Sequence, residues 1–283
     1  MNLQRNYKII PLTIAIMVIV LIGCRKPAPG NTSTQMAYVG LHLHTYIGDS
    51  IISPGVDPSV GVTNVYDQEW HDAAGRYEFL TMANVYISNV AFYSSTKKQW
   101  YTMPGSLLMK RIENEEFNID SVPADTYDSV RFTVGLGPDY DSKAPSSYST
   151  NPSSGADTVL STNESFMYGG SSNGYYFMNI AGNVDTSALH NGTGLIPFAY
   201  GLGAPGDTLQ VTIPPTATNS FQILPNLPGA QLVHIIFDYG KLLQSIPITT
   251  PTNIAAPNGN WMPVWNNVPG MFRFECSSPN QDC

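Results

Sequence analysis

From Tyr38 onward polar and apolar residues take turns: Val39, Leu41, Leu43, Thr45 and Ile47 are interleaved with Tyr38, Gly40, His42, His44 and Tyr46. Side chains two residues apart share a face of an extended chain, so this stretch predicts a β-strand with unlike faces. Similar signals predict strands over residues 84–93, 129–136, 174–181, 208–213 and 231–238. Clusters of Gly, Pro, Asn and Asp separate them, as turns between strands require.

Helical patterning is poor. The 22 prolines and 24 glycines are spread so evenly that few windows could hold several uninterrupted helical turns. Residues 241–245 predict one short helix after the strand that ends near Asp238, and residues 146–155 a long exposed loop. Repeated short strands with no helices between them predict an all-β fold: an antiparallel β-sandwich, Ig-like or a partly closed barrel, with long loops.

The first residues follow a different logic. Arg5 and Lys8 precede an apolar run from Ile9 to Ile22, broken only by Pro11 and Thr13, which is the order of a secretory signal. A permanent membrane span would need about 20 apolar residues. The run closes on Leu21-Ile22-Gly23-Cys24, which resembles a lipobox, with small Gly23 before the cut and Cys24 as the lipidated residue. The expected organisation is a cleaved signal over residues 1–23, a flexible tether over 24–36 and a single β domain over 37–283. Roughly 260 residues remain after cleavage, within the range of one all-β domain.

Composition sharpens this address. Charged residues make up 12% of the chain, about half the usual share, and Ser, Thr, Asn and Gly are abundant. A neutral polar surface suits the cell envelope, with the lipid holding the protein at the outer membrane, on its periplasmic side or at the cell surface. A net charge of −8 argues against nucleic acid as a partner, because phosphates call for a basic patch. Cys276 and Cys283 are expected to form a disulfide in that oxidising compartment. Its effect on stability should be modest, since a short loop restricts the unfolded chain little.

His42 and His44 are the leading candidates for chemistry. At i and i+2 of one strand their rings share a face, and neutral imidazoles so placed can hold copper or zinc. A third ligand is needed, with His190 as the choice and His71, His234 or Asp49 as the others considered. The plainer reading makes His42 and His44 members of a half-exposed sheet face, and His234, between Val233 and Ile235, a satisfied sheet residue. Glu113, Glu115 and Glu116 lie near Lys110 and Arg111 and read as a solvated charged face. Asp139 and Asp141 fall short of a calcium loop. No nucleophile elbow, His-Glu-x-x-His helix or phosphate-cradling loop is present, so no enzymatic activity is expected. The 16 tyrosines offer either recognition surface or sheet cover. The alternative function is accordingly a structural or adhesive scaffold that binds a protein or glycan partner.

Six segments occur in an order that resembles a known family: "LHLHTYIGDSI", "YEFLTMANVYISNVAFY", "VPADTYDSVRFTVGLGPDYD", "MYGGSSNGYYFMNIAG", "PFAYGLG" and "NVPGMFRF". The family is the MbnP-like, methanobactin-associated copper-binding domain found in lipoproteins of Gram-negative bacteria. The resemblance implies a β domain that binds copper through histidines, assisted in some members by a tryptophan oxidised to kynurenine. Members usually carry Trp-x-Trp after a Met-aromatic pair, where this chain has Met167-Tyr168-Gly169-Gly170-Ser171. They usually carry His before the Leu/Ile-Gly of the later strand, where this chain has Gly201. Gly169, Ser171 and Gly201 therefore leave family metal-site positions vacant.

Overall fold

The alternating stretch at the start of the domain is a strand. In the computed structural model, which describes residues 34–47, 50–51, 76–141, 143–151, 155–189, 192–214 and 220–275, β1 spans Met36–Ile47. Val39, Leu41, Leu43, Thr45 and Ile47 are buried on one face, and His42, His44 and Tyr46 are half-buried on the other. The chain divides into residues 1–35 and a body of residues 36–283, and all the elements below belong to the body. Among the described residues no helix is long and apolar enough to cross a membrane. The expected signal, the lipidated Cys24 and the Cys276–Cys283 disulfide lie outside the described residues.

The strands after β1 are β2 (Ser50–Ile51), β3 (Glu78–Ser94), β4 (Gln99–Thr102), β5 (Leu107–Lys110), β6 (Glu116–Pro123) and β7 (Asp125–Val134). They continue as β8 (Met178–Asp185), β9 (Leu195–Leu202), β10 (Leu209–Ile213), β11 (Phe221–Ile223), β12 (Gln231–Asp238), β13 (Thr252–Ala255) and β14 (Phe272–Phe274). In one sheet β14, β12, β1 and β2 run in that order, with β6 also on β1. In the other the order is β10-β7-β3-β8-β9-β13, with β4 and β5 on β3 and β11 on β7. Each of the predicted strands is present, and the all-β class holds.

The sheets are mixed, which corrects the antiparallel expectation. β1 and β12 pair in parallel, as do β9 and β13. Parallel neighbours need a long crossover, and here the chain builds nearly all of the second sheet before β12 returns beside β1. Alternation along a strand reveals its two faces but not the direction of its neighbours.

β3 pairs with β4, β5, β7 and β8, and it is irregular midway. Its register against β7 shifts between Ser88 and Ala91, and Asn89 takes a φ of 53° there, a left-handed conformation that Asn tolerates. β5 pairs with β3 before this point and β4 after it. The core joins the two sheets: Phe132 of β7 meets Phe272 of β14 edge-on at 5.0 Å, and Phe221 of β11 meets Phe274 at 5.9 Å. Several tyrosines are core rather than surface, and buried Tyr86, Tyr127 and Tyr175 donate to the carbonyls of Val159, Pro123 and Leu160. The short helix forms at Tyr239–Leu243, started by Asp238, whose side chain accepts from the Gly240 and Lys241 amides.

Gly40 sets how β1 meets β6. The pairing slips between Val39 and Gly40, and a Cβ at Gly40 would lie 2.6 Å from the Phe117 carbonyl oxygen and 2.8 Å from Leu232 Cδ2. A backbone oxygen cannot give way without loosening the ladder. Gly40→Ala is expected to lower the unfolding free energy by about 1–3 kcal/mol, read as a lower urea midpoint at unchanged slope.

Candidate metal centre

The parallel register of β1 and β12 sets His42 directly against His234. His44, two residues along β1, projects to the same face. On the other side of β12 the antiparallel register matches Ile235 with Phe274, and one step further the Glu275 amide donates to the His234 carbonyl at 3.2 Å. β1, β12 and the residue that follows β14 thus present His42, His234 and Glu275 as a row, with His44 beside it.

The donor atoms converge. His44 Nε2 and His234 Nδ1 are 3.2 Å apart, and Glu275 Oε2 lies 3.0 Å from the first and 3.4 Å from the second. The His42 ring stands 3.8 Å from His44 and 4.8 Å from His234, centroid to centroid. One ligand atom from each histidine lies within 4.8 Å of the other two.

Burial shapes the chemistry of this cluster. The His234 side chain is 2% exposed and that of Glu275 7%. Burial, and after it the neighbouring His42, push the pKa of His44 down, with Glu275 and Glu115 pulling the other way. The net direction favours the neutral ring, the form that offers a lone pair to an ion. Tyr46 Oη donates to Glu275 Oε1 at 2.8 Å. Burial and that hydrogen bond push the phenol up to about 12, so it remains a donor. Among the described residues, His42 Nδ1 and Glu275 Oε2 are buried without a hydrogen-bond partner. Unsatisfied buried polar atoms are costly, and a cation among these donors would relieve both. The residues present therefore fit a transition-metal ion.

A second charged group adjoins the cluster. Just before β6 begins, Glu115 extends its pairing with β1: its carbonyl accepts from the Leu43 amide at 2.8 Å, and its Oε1 accepts from the Thr45 amide at 3.0 Å. Lys110, fully buried, donates to Thr45 Oγ1 at 2.7 Å and to the Arg111 carbonyl, and lies 3.6 Å from Glu115 Oε1. Glu115 Oε2 faces His42 Nε2 at 3.8 Å and His44 Nδ1 at 3.9 Å. Glu113 and Glu116 are exposed as expected, but Glu115 is buried, which corrects the reading of all three as a solvated face.

The structure brings together His42 and His44 and adds His234, which the sequence offered as a third ligand but read as a satisfied sheet residue. His190, the preferred third ligand, lies outside the described residues, as do His71 and Asp49. Glu275 and Lys110 were not singled out as site residues. A faint signal for Glu275 exists in Phe272-Arg273-Phe274-Glu275, whose alternation puts it on the face opposite the two phenylalanines. At the vacant family positions, a Cβ on Gly169 would lie 2.6 Å from Tyr176 Oη, and one on Gly201 would lie 3.0 Å from Cδ1 of the same ring. One tyrosine occupies the space over both glycines, and Ser171 is exposed.

Comparison with known proteins gave two findings. The model of the MbnP family matches residues 55–262. Among solved structures, MbnP from Methylosinus trichosporium is similar, at 10% identity and a TM-score of 0.49, covering 80% of this chain and 83% of that one. No curated protein matches the chain. Of the four converging residues, only His234 falls within the segment that the family model matches.

Proposed function

The chain belongs to the MbnP family, and from that premise we propose a non-enzymatic envelope lipoprotein whose β domain binds one transition-metal ion, copper first, through His42, His44 and His234. The observation that carries this reading is the convergence of three imidazoles from two strands, with a ligand atom of each within 4.8 Å of the others. Imidazole donors suit copper and zinc, and the copper-binding character implied by the family resemblance favours copper between them. The anchor is the lipid on Cys24, supported by the signal-like run and the lipobox that precede it.

Elemental analysis of the protein purified from its native envelope tests the reading. About one equivalent of copper or zinc per chain is expected, in line with a single cluster. The His42→Ala, His44→Ala double variant should keep its far-UV circular dichroism and lose the metal. Wild-type protein free of metal that takes up neither ion when supplied with them would dispose of the proposal.

A further inference from the structure

We infer that Glu275 is the fourth donor of this centre, and that its carboxylate makes the site one for a divalent ion, cupric or zinc, rather than for cuprous copper. The inference rests on the metal-binding reading above and adds to it a ligand and a charge state. Glu275 lies beyond the segment matched by the family model.

The distances carry it. His44 Nε2, His234 Nδ1 and Glu275 Oε2 form a triangle with edges of 3.0, 3.2 and 3.4 Å. Around a tetrahedral ion with bonds of about 2.0–2.2 Å, donor atoms stand about 3.3–3.6 Å apart. The triangle is thus one face of a coordination sphere, contracted by a few tenths of an ångström. The point equidistant from its corners lies about 1.9 Å from each, close to a zinc–imidazole bond. His42, with a ring nitrogen within 4.8 Å of the ligand atoms of His44 and His234, is placed to be the remaining ligand.

Hydrogen bonding does not account for where Glu275 Oε2 sits. It is buried 3.0 Å from His44 Nε2 and has no hydrogen-bond partner among the described residues. The other oxygen, Oε1, is held by the Tyr46 hydroxyl at 2.8 Å. A carboxylate tied by one oxygen to a neutral donor, with the other aimed among imidazoles, has the arrangement of a metal ligand with an outer partner.

The chemistry of the donors sets the ion. Carboxylate oxygen is a hard donor that suits divalent ions, whereas cuprous copper favours thiolate and thioether sulfur. Among the described residues, the converging set is three imidazoles and a carboxylate.

Full-length protein stripped of metal is titrated with Cu²⁺ and Zn²⁺, and with Cu⁺ under anaerobic reducing conditions, each against a competing chelator. Wild type is expected to hold one divalent ion more tightly than Cu⁺. Glu275→Gln, close in shape, should weaken Cu²⁺ and Zn²⁺ by at least about 10- to 100-fold, change Cu⁺ by less than about threefold, and alter the copper hyperfine splitting in the electron paramagnetic resonance spectrum. Tyr46→Phe should weaken the divalent ions by about 10-fold. An unchanged metal-free unfolding midpoint shows that Glu275→Gln still folds, and the spectrum of Cu²⁺-loaded Tyr46→Phe reads the same carboxylate without altering it. If Glu275→Gln binds divalent ions as tightly as wild type while His44→Ala does not, the carboxylate donor is overturned and the three-histidine reading stands. Equal weakening of Cu⁺ and Cu²⁺ overturns the divalent preference, and a wild type that binds no metal overturns both readings.

Discussion

Lys110→Met is expected to lower the unfolding free energy by about 3 kcal/mol, the low end of the cost of removing one partner from a buried ion pair. The lysine is fully buried, and its ammonium faces Glu115, a carboxylate 8% exposed. Removing the cation leaves that carboxylate buried and uncompensated. The cost stays at the low end because the Thr45 amide still donates to Glu115, and His42 and His44 stand within 3.9 Å. Glu115→Gln alone should cost less, since Lys110 can shed its proton and Gln keeps an acceptor for Thr45. The Lys110→Met, Glu115→Gln pair should recover most of the loss and end within about 1 kcal/mol of wild type. Urea unfolding of the four proteins measures the cycle, and additive losses would show that the two charges are not coupled.

The same lysine gives stability a pH signature. Burial pushes its pKa down from 10.5 to about 8, with Glu115 pulling it back up. Below about pH 8 the folded and unfolded states both carry the proton, and the cost of burying the charge is fully present. Between about 8 and 10.5 the unfolded chain holds a proton that the folded one has released. The contribution of this group therefore rises with pH there, by up to about 1.4 kcal/mol per unit, and is constant above 10.5. Tyr46 and Tyr200, pushed up to about 12 chiefly by burial, act in the opposite sense above the ordinary phenol value. The difference between wild type and Lys110→Met isolates the lysine.

Faces were legible in the sequence and neighbours were not. His42 and His44 could be placed on one side of β1 because a two-residue period is local. That His234 and Glu275 join them depends on the parallel register of β1 with β12, 190 residues apart between His44 and His234. His234 carried one usable sign. Ile236 shares its face while Val233, Ile235 and Phe237 line the other, so β12 is apolar on both sides and its histidine had to be buried. Lys110 and Glu115 show the opposite difficulty. Charges five residues apart in a charged stretch read as solvent-facing, whereas in the fold Lys110 donates to the Thr45 hydroxyl and Glu115 accepts from the Thr45 amide, both buried. The vacant family positions were legible as glycines, but that Tyr176 covers both is a fact of the folded sheet.

Metal binding should be visible in stability itself. With divalent ion at about 1,000 times its dissociation constant, the unfolding free energy is expected to rise by about 4 kcal/mol. For a domain of this size that corresponds to a thermal midpoint about 8–16 °C higher, lost again when a chelator is added. The gain follows from where the donors sit: β1, β12 and the end of β14 meet only in the native sheet, so unfolding separates them. His42 and His44 stay neighbours in the unfolded chain and retain some affinity there, which trims the gain. Removing His234 by H234A should cut the shift sharply, because of the donors left only Glu275 is brought in by folding, while the pair on β1 stays together in the unfolded chain. Glu275→Gln, if 100-fold weaker, should keep only about 1.4 kcal/mol of it at the same ion concentration. Because Glu275 follows directly on β14, the ion would also tie down the last described strand. Amide exchange of Phe272–Phe274 should slow on metal addition in wild type and stay unchanged in Glu275→Gln. A midpoint that rises equally in wild type and H234A would place the ion elsewhere on the chain.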